Sequence, residues 1–503
     1  MQARINTSTA LLNSAQMAEA DRLTVAFGIS EVQLMENAGR PVADAIIQRW
    51  TKRAVVVLCG PGSNGGDGFV VARRLAEADW PVRVALLGSV EHLCGAAAHH
   101  AAEWRDPIEA MSRDVLDGAE LVVDAIYGAG LSRPVDGVAE ATLRSAHERK
   151  LAIVAVDIPS GVMGDTGENL GAVQAMITVT CFRKKPGHLL QPGRALCGEM
   201  IVVDIGTPAS VFDQSEPDTF ENDPILWGGL LPELQDDGNK YDRGHALLIG
   251  GYPTTGAARM AARAAARSGV GLTTIAVPEI ALQVYAATLT SIMVTPLIAI
   301  EVLEKILADK RYSALLIGPG AGVNPTTRAY VLAMLKTGRP VVLDADALTT
   351  FKDNPSQLFG AICGPCVLTP HDGEFARLFD TKGDKLTRTR NAARLSGAII
   401  VLKGSDTVIA APDGRAIINA NAPPTLATGG AGDVLGGIIV GLMAQGMEPF
   451  MASAAAVWVH GAAANSFGPK LIAEDLPDLL PAVFSQLQVS PIRLMTAACN
   501  YIE

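Results

Sequence analysis

The sequence predicts an α/β protein of two domains, each a parallel sheet covered by helices, on three observations. The chain has 503 residues, beyond the length at which one hydrophobic core keeps growing, so two domains of roughly 200 to 280 residues are expected. Apolar residues make up 49% and charged residues 18%, with 50 glycines and 5% aromatics, a profile of compact α/β enzymes rather than disordered or fibrous chains. Short apolar runs alternate with helical spacing through both halves, as they do when helices cross over between parallel strands.

In the first half the strand candidates are, in order, AVVVLCG (54–60), VRVALLG (82–88), LVVDAIYG (121–128), LAIVAVDIP (151–159), ITVTCF (177–182) and MIVVDIG (200–206). Nearly all end in Gly, Asp or Pro, which puts loops at the carboxyl edge of the sheet, where open α/β folds bind ligands. From about Pro208 to Pro232 this rhythm gives way to Asp, Glu, Ser and Pro. The expected division is therefore a first domain over 1–215, a linker over 216–230 and a second domain over 231–503. There the candidates are HALLIGG (245–251), LTTIAVP (272–278), ALLIGPG (314–320), PVVLDADAL (340–348), CVLTP (366–370) and AIIVLKG (398–404). Two alternating runs around Pro-Asp-Gly (406–420) then predict a hairpin.

Lys+Arg 41 against Asp+Glu 52 gives a net charge of −11 with no basic run, so neither nucleic acid nor an anionic membrane is an expected partner. Ile280 to Ile300 carries no charge but holds polar residues and Pro296, so it is expected to be buried or at an interface rather than to span a membrane. Together with Ala-rich helices it leaves room for a homo-oligomer. Seven scattered cysteines and an N-terminus without a signal pattern fit a reducing cytoplasm.

After AVVVLCG comes GPGSNGGDG (60–68) and a helical pattern. Its glycines permit positive φ and close backbone approach, so N–H groups at the helix start can face a pyrophosphate; a tight turn is the bland alternative. VVDAIYGAGLSRP (122–134) and VDIPSG (156–161) also put an acid at a strand end. Asn64, Asp124 and Ser160 could converge as oxygen ligands for a hard, weakly held cation, although Asp124 and Asp157 taken singly are equally readable as helix caps.

These segments, with LMENAGR (34–40) before them and KPGH and QPGR (185–194) after, resemble the NAD(P)H-hydrate epimerase domain over roughly residues 10 to 215. The resemblance implies a Rossmann-like three-layer sandwich and potassium at Asn64, Asp124 and Ser160. It places the hydrated nucleotide over Ser63, Asn64, Gly65, Gly66 and Asp67, over Gly128, Ala129, Gly130, Leu131, Ser132, Arg133 and Pro134, and at Asp157. Ser63 departs from the family's usual Asn. Inverting C6 of the hydrated ring requires a positioned acid or base. Asp157 is the candidate, and Lys185 the second, equally readable as a surface lysine of the run RKK.

In the second half CGPC (363–366) suggests a redox pair, but Cys366 opens an apolar strand instead of a helix, so no redox role is expected. A broader set comprises TTGAARMAARAAARSGVGL (254–272), IGPGAGVN (317–324), LTPHDGEF (368–375), LKGSDTVI (402–409) and TGGAGDVLGGIIVGLMAQG (428–446). All lie at strand ends or helix starts, so one cleft is expected. KGSDT and GGAGDVL above all make this half similar to the ADP- or ATP-dependent NAD(P)H-hydrate dehydratases, members of the ribokinase-like superfamily. The resemblance implies the adenine nucleotide at Lys403, Gly404, Ser405, Asp406, Thr407 and Gly432, and the hydrate at Ala257, Gly320, His371 and Asp433. HDGEF departs from the usual HPGEF at Asp372 and is expected to lose a rigid turn.

Chemistry accounts for the acid inside the glycine loop. A C6 hydroxyl is a weak nucleophile and a poor leaving group, so Asp433 would take its proton as phosphate arrives, while loop N–H groups hold the developing charge. The implied activity is repair of hydrated NADH and NADPH (NADHX and NADPHX). Epimerisation supplies the 6S form, and dehydration follows with ADP as co-substrate, giving AMP and phosphate. Mg²⁺ would bridge nucleotide phosphates, with Asp344 and Asp346 either ligands or loop caps. A kinase for a hydroxymethyl compound and a nucleotide sensor without turnover are the alternatives; the epimerase-like half weighs against the first, and Asp157 and Asp433 against the second.

Overall fold

Runs of Val, Leu, Ile and Ala that are too short for helices and too apolar for a surface form the centre of each of two units. The computed structural model describes residues 7–214 and 216–489. One unit comprises Ala10–Thr219, and the other the chain from Phe220 onward.

The first unit has strands β1 Val55–Cys59, β2 Val82–Leu86, β3 Ile108–Ala110, β4 Leu121–Ala125, β5 Ala152–Val156, β6 Ile177–Cys181 and β7 Glu199–Val203. They lie in the order β3-β2-β1-β4-β5-β6-β7, every neighbouring pair parallel. The strand order reverses between β1 and β4, the switch point where such sheets open a crevice. Val55 through Cys59 are buried without alternation because helices cover both faces. All six expected strands form; the edge strand β3, with only Ile-Glu-Ala, was not expected.

The second unit adds β8 Thr219–Glu221, β9 His245–Ile249, β10 Leu272–Val277, β11 Met293–Pro296, β12 Ala314–Ile317, β13 Val341–Leu343, β14 Cys366–Leu368, β15 Ile399–Leu402, β16 Val408–Ala410 and β17 Ala416–Ile418. Among the described residues they form one sheet ordered β11-β10-β9-β12-β13-β14-β15-β16-β17-β8. It is parallel from β11 to β15, then closes with the expected antiparallel hairpin β16–β17, in which Val408 faces Ile418. The helix Ala431–Ala444 runs through the interior, buried at every residue from Val434 on. Glycine permits this: a Cβ on Gly437 would lie 2.2 Å from the Ala261 carbonyl oxygen of the Ala-rich helix Thr255–Arg267.

One expectation needs correction. The stretch 216–230 is built into the second sheet rather than hanging between domains: Asn222 donates its N–H to the Ile418 carbonyl at 2.8 Å, and Trp227 is wholly buried with its indole N–H on Asn222 Oδ1 at 3.0 Å. Its apolar residues are too few to set up a readable period. Within Ile280–Ile300, expected to be buried or at an interface, Tyr285 and Ile292 are buried while Ile280 and Ile298 are exposed. No helix among the described residues is long and apolar enough to cross a membrane.

Candidate active sites

At the switch point of the first sheet a cavity of about 1130 Å³ opens. The loops after β1 and β4 must pass close together there, and a Cβ on Gly60 would lie 1.8 Å from the Ile126 carbonyl oxygen. Ser63, Asn64 and Asp67 line the cavity with Gly128, Ala129, Gly130, Leu131, Ser132 and Arg133, as does Asp157. Gly65, Gly66 and Pro134 do not. A Cβ on Gly65 would meet the Gly60 carbonyl at 1.8 Å and one on Gly66 the Met35 sulfur at 2.4 Å. These two glycines seat the helix Ser63–Glu77 on its neighbours rather than offer bare backbone to a ligand, and none of the glycines between 60 and 68 has a positive φ.

Asp157 follows β5 with φ at +67°, a left-handed conformation that Asp tolerates better than most residues. Its Oδ1 accepts from Lys185 Nζ at 2.5 Å and from the Thr180 hydroxyl at 2.9 Å, and its Oδ2 from the Ala129 N–H at 3.0 Å. Burial works against its charge, but Lys185 above all, with the hydrogen bond from the Ala129 N–H, outweighs it and holds the carboxyl well below the usual carboxylate range. Lys185 is therefore not a surface lysine; it is 2% exposed and also donates to Thr180 Oγ1 at 3.0 Å. His188 closes the arrangement, its Nδ1 accepting the Lys185 N–H and its Nε2 donating to the Asp157 carbonyl. Sequence reasoning missed Thr180 and His188. Two fully buried threonines, Thr178 and Thr180, in an otherwise apolar parallel strand were the available signal.

Asp124 and Ser160 meet behind this pocket. Asp124 is 1% exposed and accepts the Ser160 N–H at 2.8 Å and the Ser160 hydroxyl at 2.6 Å. Burial pushes its carboxyl up, and only hydrogen bonds from Ser160 and Ile126 oppose this. Asn64 is buried as well, and its Nδ2 has no hydrogen-bond partner. Turning that amide would put a carbonyl oxygen where the unpartnered nitrogen stands. A buried carboxylate and neutral oxygen donors fit a monovalent cation.

In the second unit the loops after β9 and β12 meet at the equivalent switch point. Gly320 has φ +65°, and a Cβ there would lie 2.2 Å from the Thr254 carbonyl oxygen. Ala257 stands beside it, partly exposed in the first turn of the helix Thr255–Arg267. Lys403, directly after β15, donates to Asp344 Oδ1 at 2.8 Å and lies 3.9 Å from Glu374 Oε2. A Cβ on Gly432 would be 3.1 Å from the Lys403 ammonium, so that charge lies under the first turn of the helix Ala431–Ala444, whose N-cap Gly430 has φ +94°. Asp433 shares this surrounding. Burial, then repulsion from Asp344, Asp346 and Glu374 against the pull of Lys403, raises its carboxyl to about 7.

Within 403–407 only part of the loop faces outward. Gly404 and Ser405 are exposed, whereas Asp406 takes Lys385 Nζ at 2.6 Å and the Thr407 hydroxyl donates to the Gly404 carbonyl at 2.8 Å. Asp344 holds Lys403 and so is more than a loop cap, whereas Asp346 accepts the Gly322 N–H at 2.8 Å, as a loop cap does. Asp372 does not cost the turn that was expected to loosen. His371 caps the helix Asp372–Leu378 through Nδ1 and Glu374 answers to the His371 N–H at 2.9 Å, while Asp372 pairs with Arg388. With Nδ1 accepting, His371 Nε2 carries the proton and lies 3.5 Å from Glu374 Oε1. Cys366 is buried in β14 with its thiol pushed up to about 12, unlike a redox cysteine.

Fold and sites together define a two-site α/β enzyme: a carboxylate-lined pocket in one unit, and in the other a helix start with a lysine and a carboxyl beside it. The family profile described as NAD(P)H-hydrate dehydratase matches residues 246–483, and the one described as YjeF-related protein N-terminus matches 31–187. A bifunctional NAD(P)H-hydrate repair enzyme of Salinibacter ruber is 37% identical, covering 95% of this chain and 96% of its own; that of Moorella thermoacetica is 36% identical, covering 95% and 97%. Bacillus subtilis ADP/ATP-dependent NAD(P)H-hydrate dehydratase, crystallised with ATP and Mg²⁺, is 32% identical over 53% of this chain and 98% of its own, with a TM-score of 0.47. The chain belongs to the bifunctional NAD(P)H-hydrate repair enzymes, joining an epimerase and a dehydratase.

Proposed function

We propose that the first unit interconverts the 6R and 6S hydrates of NADH and NADPH. The second unit then dehydrates the 6S form, with ADP giving AMP and phosphate. The observation that carries this reading is Asp433, a carboxyl poised near neutrality beside Lys403 at a helix start. It takes the proton of the C6 hydroxyl as that oxygen attacks the terminal phosphoryl group. Lys403 and the N–H groups of Gly430 to Gly432 offset the charge on the transferring oxygens. The C6 phosphate departs, helped by the ring nitrogen lone pair, and loss of a C5 proton restores the double bond. Gly404 and Ser405 present the outward part of the nucleotide loop, Thr407 shapes it, and Ala257, Gly320 and His371 border the hydrate. Magnesium accompanies the nucleotide, held chiefly by its phosphates.

The decisive experiment incubates the chain with hydrated NADH, ADP and Mg²⁺ and follows the return of reduced-nicotinamide absorbance. A stable phosphorylated product without that recovery would instead indicate a small-molecule kinase. Because Asp433 must be ionised to accept the proton, dehydration should rise with pH through about 7. A pH–rate profile lacking an acidic limb there would contradict its role as base.

In the first unit Asn64, Asp124 and Ser160 would hold potassium, which supplies positive potential under the bound nucleotide. Asp157, expected as the acid or base of the inversion, is instead kept ionised by Lys185, so its role is to offset positive charge that develops on the ring. Exchange of potassium for tetramethylammonium should depress epimerisation and KCl should restore it, whereas Asp124→Ala should not respond to KCl. Equal rates in both buffers would remove the ion from the site. The unpaired cysteines of the described residues suit a cytoplasmic enzyme.

A further inference from the structure

The cavity of the first unit turns three carboxylates, Asp21, Asp67 and Asp157, toward one ammonium, that of Lys185. Asp157 takes that ammonium and two more donors, so it stays ionised. His188 adds no second charge, since its Nδ1 accepts and its Nε2 donates, as in a neutral ring. Burial and the neighbouring Lys185 push it down to about 4. The Cys181 thiol on the same wall is pushed up and stays neutral. Arg22, Glu31 and Arg133 stand in the solvent-exposed part of the lining, Arg22 tied to Glu19 at 2.7 Å. Asp67 is pushed well above the usual carboxylate range by burial and by the Asp157 and Asp21 charges. Because Asp157 takes the one ammonium, Asp21 is left without a counter-charge of its own.

Asp21 is distinguished by geometry. Its Oδ1 is buried without a hydrogen-bond partner, while the residue lines the cavity. Its helix, Ser14–Ala26, is fastened to the substrate loop: the Ser14 hydroxyl donates to the Ala129 carbonyl at 2.9 Å and the Ser14 N–H to Asp165 at 2.7 Å.

We propose that Asp21 is the general acid of the epimerisation, an inference that rests on the epimerase reading of this unit. Its carboxyl O–H breaks and the proton passes to the C6 hydroxyl oxygen. The C6–O bond then cleaves, one water leaves, and the N1 lone pair forms an N1=C6 iminium. One water adds to the opposite face of C6, and its surplus proton returns to the Asp21 carboxylate. Nothing is oxidised or reduced, and Asp157 offsets the cationic ring. Burial above all, with the Asp157 charge and against the pull of Lys185, brings the Asp21 carboxyl to about 6, close to working pH.

The test supplies full-length chain with purified 6R-hydrate in ¹⁸O-water without ADP. Wild type should form the 6S-hydrate with one solvent oxygen per inversion, its rate falling as pH rises past the Asp21 titration. Asp21→Asn should lower kcat by about 100-fold or more, with little change in KM and no basic limb, while Asp21→Glu should recover part of the rate and the limb. Asp21→Asn epimerising like wild type, Asp21→Glu recovering nothing despite a normal unfolding transition, or inversion without oxygen exchange would each overturn the proposal. A wild-type chain that inverts neither hydrate would overturn the epimerase reading instead.

Discussion

Asp433→Asn should reduce dehydration by about 10³-fold while leaving ADP binding essentially intact. Asparagine keeps the size and the hydrogen bonding of the side chain but cannot accept the hydroxyl proton. The groups proposed to receive the phosphates, Lys403 and the backbone N–H groups at the start of the helix Ala431–Ala444, are unchanged. Stability should move the other way. The folded carboxyl is raised to about 7 by burial and by three neighbouring acids. Its charge therefore costs nothing below the ordinary carboxylate range, where folded and unfolded forms are both protonated. The penalty grows as pH rises toward 7 and is constant above. Asparagine removes it, so the second unit should gain on the order of 2 kcal/mol at neutral pH. Calorimetric titration with ADP, NADH recovery and thermal unfolding check the three parts. A variant that restores NADH at the wild-type rate, or that loses ADP binding in step with activity, would show that Asp433 is not the base.

What could be read from the chain follows from which interactions are local. Strands buried on both faces write themselves as apolar runs, so every central strand was legible; β3, β8 and β11, with three or four residues each at a sheet edge, were not. The loops at both switch points were legible because they carry glycines and acids at strand ends. What the glycines do there was less so: Gly65 and Gly66 read as an anion cradle and serve as packing surfaces. Lys185 stood undecided because its surroundings in sequence, RKKP, look like a solvated run, whereas its burial depends on Asp157, 28 residues away. Asp344 raises the same difficulty for Lys403 across 59 residues. Nothing in AEADRL distinguished Asp21, whose position is set by the packing of its helix.

Lys185→Met should destabilise the first unit by about 3 to 5 kcal/mol at neutral pH, the usual result of stranding one charge of a buried pair. The Lys185 side chain is 3% exposed and that of Asp157 19%, so water does little to screen the carboxylate left behind. Thr180 and Ala129 alone then hold a charge that burial opposes. In the wild type the depressed carboxyl contributes stability that is fully present above its unfolded value and is lost as pH falls through the folded one. In the variant that carboxyl no longer has the ammonium, so the deficit should be widest at neutral pH and narrow in acid, where Asp157 protonates. The double variant Lys185→Met, Asp157→Asn should recover most of the loss, and asparagine tolerates the +67° φ at this position. Urea unfolding of the first-unit transition at neutral and acid pH measures all of this. A change within about 0.5 kcal/mol, as for a surface lysine, would return Lys185 to the solvated run its sequence suggests. A full loss that Asp157→Asn fails to recover would mean that Lys185 supports the fold by packing rather than by pairing with Asp157.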